Sequence, residues 1–330
     1  MDFASIIDQG LGNILGIDTL VFVLAAIGLN MHFGYTGLLN FGQAAFVAMG
    51  AYGVGISVTY LDAPLWVGFL VGIGAATVLA LLLGIPTLRL RADYLAIATI
   101  ATAEIFRFVA RSSTADEITG GSNGINGMAR EFYALNPFPP DTYGFGPWTY
   151  SERGLWIRLF ALFLIALSLV VVTLLVRSPW GRVLKGIRED EDAVRSLGKN
   201  IFAYKMQALV LGGVIGAFAG FVLSLSRGSV QPDNYATQLT FLAYTALLLG
   251  GAARIWGPVL GAVILWVTLS LTDTILRGAV SAEIIPTWLM DGVQVGQVRF
   301  ILVGLALMLL MAFRPQGILG DRRELVLDAR

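Results

Sequence analysis

LWIRLFALFLIALSLVVVTLLV at 155–176, RSPWGRVLKGIREDEDAVRSLGKNIFAYK at 177–205 and MQALVLGGVIGAFAGFVLSLS at 206–226 follow one another without interruption. The two flanking stretches are almost wholly apolar. Each reaches about the 20 residues that a helix needs to cross a hydrocarbon layer roughly 30 Å thick. Between them lies a charged island of seven Lys or Arg and four Asp or Glu, in a chain that has only 22 of each class among its 330 residues. Joining two helices requires neither that length nor that charge. The island reads as a folded surface presented to a soluble partner, as an energised transporter needs and a passive pore does not.

The rest of the chain has the same character. It is 56% hydrophobic and 13% charged, where a soluble domain carries about 25% charged residues. Net charge is zero, so no basic surface points to nucleic acid. The chain has no cysteine, which removes disulfide and thiolate chemistry and leaves the redox compartment open. The start, MDFASIIDQGLGNILG, lacks a positive n-region and is not read as a cleaved signal peptide. The expected fold is all-α: one polytopic transmembrane bundle over 1–330, lying in the lipid bilayer. Nine candidate spans fall at 18–33, 39–60, 65–88, 93–110, 155–176, 206–226, 238–252, 257–276 and 299–313. The seventh is short, and Gly250, Gly251, Gly257 and Pro258 interrupt the run beside it, so it reads as re-entrant or broken. The segments NFGQAAFVAMGAYG (40–53) and TFLAYTALLLGGAA (240–253) are loosely alike, as in an internal repeat or by the chance likeness of apolar runs.

Lys and Arg set the orientation. With the island cytoplasmic, fourteen face inward: Arg89, Arg91, the island's seven, Arg254 and the four of the tail 314–330. Eight face outward even when Arg107, Arg158 and Arg299, near the outward ends of their spans, are placed there. Residues 112–154 are then periplasmic, 177–205 cytoplasmic and 314–330 a cytoplasmic tail. The outward segment is rich in Gly, Pro and aromatic residues and is expected to be turn-dominated rather than helical.

Within the island, Ser178 is placed to cap a helix with Pro179 at its first position. Val183, Ile187, Val194 and Leu197 share one helical face, Glu191 and Arg195 pair at i,i+4, and Gly198 ends the helix in a left-handed conformation. A second helix starts near Ile201. Asp190 interrupts the apolar stripe, so either the helix bends there or Asp190 meets a partner.

Polar residues inside the spans are the other functional candidates. Asn30, His32, Asn40 and Gln43 cluster around the inner ends of the first two spans. His32 is the sole histidine, so it has no second imidazole for a metal and reads as structural. Thr99, Thr102 and Glu104 lie on the fourth span, with Arg107 three residues on from Glu104. That pair either neutralises two charges at the boundary or forms a vestibule contact. Gly121 and Asn123, in the turn Thr119–Gly124, belong either to an anion nest suited to a carboxylate or to an ordinary turn. The GxxxG pairs Gly68/Gly72, Gly212/Gly216, Gly216/Gly220 and Gly257/Gly261 bring helices close, within this subunit or at a seam with another permease. No chain of mid-membrane carboxylates forms a proton relay. No metal, cofactor or catalytic constellation is expected.

Asp192-Ala193-Val194 followed by Gly198 matches the EAA-x-x-x-G pattern of ABC-importer permeases, with Asp for Glu and Val for the second Ala. The surrounding SPWGRVLKGIREDEDAVRSLGKNIFAYK, Leu39-Asn40-Phe41-Gly42-Gln43 leading into Met49-Gly50-Ala51-Tyr52, the TGGSNGI run, and Leu248-Leu249-Gly250-Gly251 with Gly257-Pro258-Val259-Leu260-Gly261 continue the match. Over residues 20 to 320 the chain resembles the LivM-type permeases of branched-chain amino-acid ABC importers. The resemblance implies a bacterial inner-membrane complex of this subunit, a second and different permease, two ATPase subunits and a periplasmic binding protein. It also implies ATPase docking by Asp190, Asp192, Ala193, Val194, Leu197 and Gly198. Asn40, Gln43, Thr99, Thr102, Glu104, Gly121 and Asn123 are the substrate-path candidates. Related permeases carry urea or short amides. A secondary transporter working alone would need ion-coordinating groups at mid-membrane and no docking loop. An intramembrane enzyme would need a nucleophile–base or metal cluster, for which one His and no Cys leave little.

Overall fold

The computed structural model describes residues 3–90, 92–281, 294–314 and 316–320. The chain opens with a short helix α1 (Phe3–Gly12), then α2 (Ile17–Leu29) with a π-helical extension Asn30–Tyr35, α3 (Gln43–Thr59), α4 (Leu65–Thr87) and α5 (Ala92–Arg111). Small elements follow: α6 (Asp116–Thr119), β1 (Ile125–Asn126), α7 (Ala129–Ala134), β2 (Thr142–Phe145) and β3 (Trp148–Ser151). Next come α8 (Glu152–Arg177), α9 (Pro179–Glu189), α10 (Glu191–Ser196), α11 (Ile201–Arg227), β4 (Ser229–Val230), α12 (Thr237–Gly250), α13 (Gly257–Ser281) and α14 (Gln294–Phe313).

Each of the nine expected apolar segments lies on a helix: α2 to α5, α8, and α11 to α14. Among the described residues, Ile17–Tyr35, Leu65–Thr87, Glu152–Arg177, Ile201–Arg227 and Gly257–Ser281 are long and apolar enough to cross a membrane. Two of the others are short: α3 has 17 residues and α12 has 14. At 1.5 Å per residue, α12 is about 21 Å long, less than a hydrocarbon core. It stops where Gly251 takes φ +111°, and the chain turns through 251–256 before Pro258 enters the first turn of α13. Arg91, and the expected cytoplasmic tail from 321 onward, lie outside the described residues.

Helices α2, α3 and α11 form the centre, and glycine is what lets them approach. A Cβ on Gly28 would lie 2.5 Å from the Gly212 carbonyl oxygen, and one on Gly72 would lie 2.6 Å from the Phe221 ring. Gly220 faces the Val47 backbone, and Gly257 and Gly261 face the Gly251 and Ala246 backbones. Every GxxxG pair expected from sequence therefore packs within this chain. The small residues serve intrachain van der Waals contact.

The 112–154 segment has the expected left-handed glycines, at 120, 121, 124, 127, 144 and 146, but it is more structured than a run of turns. It contains α6, α7 and a β2–β3 hairpin in which Thr142 pairs with Ser151 and Phe145 with Trp148. Its β1 pairs antiparallel with β4, Ile125 opposite Val230. This places the segment over the ends of α11 and α12. The fold is predominantly helical, as expected, with two small ladders that the expectation did not include.

Candidate functional site

The non-helical stretch 37–42 enters the bundle between α2 and α3, and its polar groups must find partners there. They find them on the π-helical turn, α5 and α12. His32 is fully buried, 2.9 Å from Asn40 Nδ2 and 3.0 Å from the Leu209 carbonyl oxygen. The amide donor at Nδ1 and the carbonyl at Nε2 together select the Nε2–H tautomer. The Asn40 orientation is fixed in turn because its Oδ1 accepts from the Gly42 amide at 2.9 Å. The Asn40 carbonyl accepts from the Tyr244 hydroxyl at 3.0 Å. The Phe41 amide donates to Thr99 Oγ1 and the Ala44 amide to Thr240 Oγ1, each at 2.9 Å. Gln43 Nε2 lies 3.4 Å from the carbonyls of Ala25 and Gly212. The start of α3, whose first amides have no partner within the helix, is thus satisfied by side chains of α5 and α12. This seam brings together Asn40, Gln43 and Thr99 of the substrate-path candidates. Thr102 stays apart, its hydroxyl bonded to Ala98 of its own helix.

Glu104 does more than neutralise Arg107. The expected pair forms at 2.7 Å, but Glu104 also accepts from the Thr237 amide at 3.2 Å and from the Thr237 hydroxyl. It is a carboxylate set at the N-terminus of α12, where the helix dipole favours negative charge. Arg107 continues to Asp233 at 2.9 Å, and Arg111 reaches the same carboxylate at 3.3 Å. These five residues clamp α5 to the entry of α12. In the turn holding Gly121 and Asn123, the Gly120 and Gly124 amides are spent on Asp116 and Gly120 carbonyls at 2.8 Å each. That leaves fewer amides for an anion than a full nest would offer.

The charged island folds as α9 and α10. Ser178 caps α9 by accepting from the Trp180 amide at 3.2 Å, and Gly198 sits at φ +73°. The single apolar stripe is corrected. Asp190 is extended (φ −154°, ψ 101°) and its Oδ1 caps α10, accepting from the Ala193 amide at 2.9 Å. The helix therefore breaks at Asp190. Leu184, Ile187 and Val194 turn inward and are buried, whereas Leu197 is 78% exposed. Asp192 and Arg195 pair at 2.8 Å, Glu191 and Arg195 at 3.2 Å, and Lys205 of α11 holds Glu191 at 2.5 Å. Of the six docking candidates, Asp190, Asp192, Ala193, Leu197 and Gly198 lie on the exposed side, and Val194 does not.

One contact joins island and seam. Arg188, at the end of α9, donates to the Gly34 carbonyl at 2.6 Å, inside the π-helical turn. A Cβ at Gly37 (φ +74°) would sit 3.6 Å from the Arg188 Cα, so this glycine lets α9 approach. Asn30, in the same turn, accepts from the Ala253 amide at 2.8 Å and donates to the Arg254 carbonyl at 2.9 Å. The π-turn thus touches the island on one side and the α12–α13 connection on the other. Sequence reasoning missed Arg188, Thr237, Thr240, Tyr244 and Asp233. Each acts across a long separation, and none belongs to a local pattern.

Comparison with known proteins gives a consistent set of relatives. The family described as branched-chain amino acid transport system / permease component matches residues 13–312. The high-affinity branched-chain amino acid transport system permease protein LivM of Salmonella typhimurium is 32% identical over 316 residues, covering 92% of this chain and 69% of that protein. A probable branched-chain amino acid transport permease protein LivM of Methanocaldococcus jannaschii is 28% identical and covers 92% of this chain and 91% of its own length. The ribose import permease protein RbsC of Bacillus subtilis is 26% identical over 78% of this chain and 83% of that protein.

Proposed function

The chain belongs to the branched-chain amino acid transport permease family, and from that premise we propose that it is the transmembrane subunit of an ATP-driven importer for Leu, Ile or Val. In this reading nine helices cross a bacterial inner membrane. Residues 112–154 are periplasmic, and 177–205 with the tail 314–330 are cytoplasmic. A second, different permease completes the pathway, two ATPase subunits hydrolyse ATP, and a periplasmic binding protein delivers substrate. This chain performs no catalysis.

The observation that carries the reading is the Arg188–Gly34 bond. It couples a folded, exposed island to the turn that holds His32, and through His32 to Asn40 and the start of α3. A push on α9 is thereby passed to a place where the bundle's backbone is irregular, and interrupted helices at membrane depth are where transporters build their sites. The test is leucine uptake into vesicles holding this chain with its partner permease and ATPases, supplied with the binding protein. Uptake that requires internal ATP and is competed by isoleucine and valine, but not by urea or ribose, is the expected result. Uptake of urea or ribose in place of leucine overturns the substrate assignment.

A further inference from the structure

Asp18, Arg227, Asp233 and Asn234 rim a cleft of about 220 Å³ whose walls include Val21, Phe22, Leu223, Leu239, Leu242 and Trp266. It opens at the end of the bundle that carries the 112–154 segment, since β1 pairs with β4 just after Arg227. The polar groups of the rim are not equivalent. Asp233 is already held by Arg107 and Arg111 at 2.9 and 3.3 Å. Arg227 is anchored by Asn234 Oδ1 at 2.6 Å, and its second terminal nitrogen reaches Asp18 only at 3.8 Å, the outer limit of an ion pair. Asp18 and Arg227 are therefore a loosely closed pair of opposite charges, each about half-exposed. Below them the walls are apolar: Val21, Phe22, Leu223 and Leu239 are buried. The Phe22 and Trp266 rings pack at 5.2 Å, and the Trp266 indole N–H has no hydrogen-bond partner among the described residues.

We propose that this cleft is an entry site for a free aliphatic α-amino acid, with Arg227 taking its carboxylate, Asp18 its ammonium and the Phe22–Trp266 wall its side chain. An α-amino-acid zwitterion carries one charge of each sign on two groups bonded to the same carbon, so it replaces the long Asp18–Arg227 contact with two shorter charge-assisted bonds and leaves the net charge unchanged. The N-cap residue Ala236 and the first-turn residues Gln238 and Leu239 of α12 line the same cleft, and the helix dipole adds to the preference for a carboxylate beside Arg227. The apolar part of the wall (Val21, Phe22, Leu223, Leu239 and Leu242) gives a branched side chain somewhere to go. The assignment rests on the amino-acid importer reading above and gives that reading a location in this chain.

The test uses the full importer with a diazirine analogue of leucine, followed by peptide mapping of this chain. Labelling within 236–242 or at Phe22 and Trp266 is expected. It should be competed by leucine but not by 4-methylpentanoate, which lacks the ammonium, or by leucinamide, which lacks the carboxylate. Arg227→Gln should lower leucine uptake at limiting substrate by about tenfold, the loss of one charge-assisted bond, and Arg227→Lys should restore most of it. Labelling confined to other helices, or normal uptake by a stably inserted Arg227→Gln variant, would overturn the cleft assignment and leave the importer reading standing. Failure of the unaltered complex to take up leucine would remove both.

Discussion

Helices α2 and α8 are both candidate spans, yet they are used in opposite ways. The α2 segment is 83% buried inside the bundle, and α8, the more apolar of the two, is 28% buried. In water the more hydrophobic helix would be inside. In a bilayer the lipid is as apolar as leucine, so hydrophobicity no longer sorts helices, and small or polar residues decide the centre. Helix α2 carries Gly28 and leads into Asn30 and His32, the groups that need close backbones and hydrogen-bond partners. Helix α8 spends Phe163, Val170 and Leu174 on its exposed surface. The irregular centre of the bundle is built on the least apolar of the five long candidate spans.

The sharpest way to break that contrast is to add bulk to both kinds of glycine. Gly28→Val would push a side chain against the Gly212 carbonyl and Gln43. It should cost about 3 kcal/mol or more, read as a lost or strongly lowered melting temperature in detergent. Gly74→Val on α4 has nothing within 4 Å of its added Cβ and should leave melting unchanged. Next in size, Thr99→Val keeps shape but removes the partner of the Phe41 amide. A loss of about 1–3 kcal/mol in the same assay is expected, with reduced uptake. Val194→Ala should cost about 1 kcal/mol, because Val194 packs inward over α9, near Gly186, and is not part of the exposed face. Leu174→Ala, on the outer surface of α8, should shift stability by no more than about 0.5 kcal/mol. If Leu174→Ala proved as damaging as Thr99→Val, the sorting of α2 and α8 would have another cause.

What was legible in the sequence follows the same line. Long apolar runs mark helices wherever they pack, so the helical segments were visible, as were the Ser178 cap and the left-handed Gly198, which depend on neighbouring residues alone. The break at Asp190 was written locally too, as an Asp followed by acidic residues at a helix start. A bend at Asp190 was accordingly one of the two alternatives that the sequence left open. Clustering of Asn30, His32, Asn40 and Gln43 was readable from their proximity along the chain. Their closure by Thr240 and Tyr244, and the capture of Thr237 by Glu104, were not, because those contacts cross more than a hundred residues. The two-residue strands β1 and β4 carry no alternation that could have announced them.

In the proposed importer, energy enters through the exposed side of α9 and α10. Leu197→Asp and Gly198→Val address it directly. Leu197 is the large apolar side chain left bare at the end of α10, and a Cβ added at Gly198 would meet open space, but its φ of +73° is one that a β-branched residue adopts only under strain. The decisive measurement is co-purification of the two ATPase subunits with each variant, set against Lys185→Ala and Lys199→Ala, whose solvated charges contribute only about 0–1 kcal/mol. Leu197→Asp and Gly198→Val are expected to insert and stay folded but to lose the ATPases and ATP-driven leucine uptake, while both lysine variants keep them. Full ATPase recruitment and normal uptake by Leu197→Asp and Gly198→Val would contradict this route of energy entry.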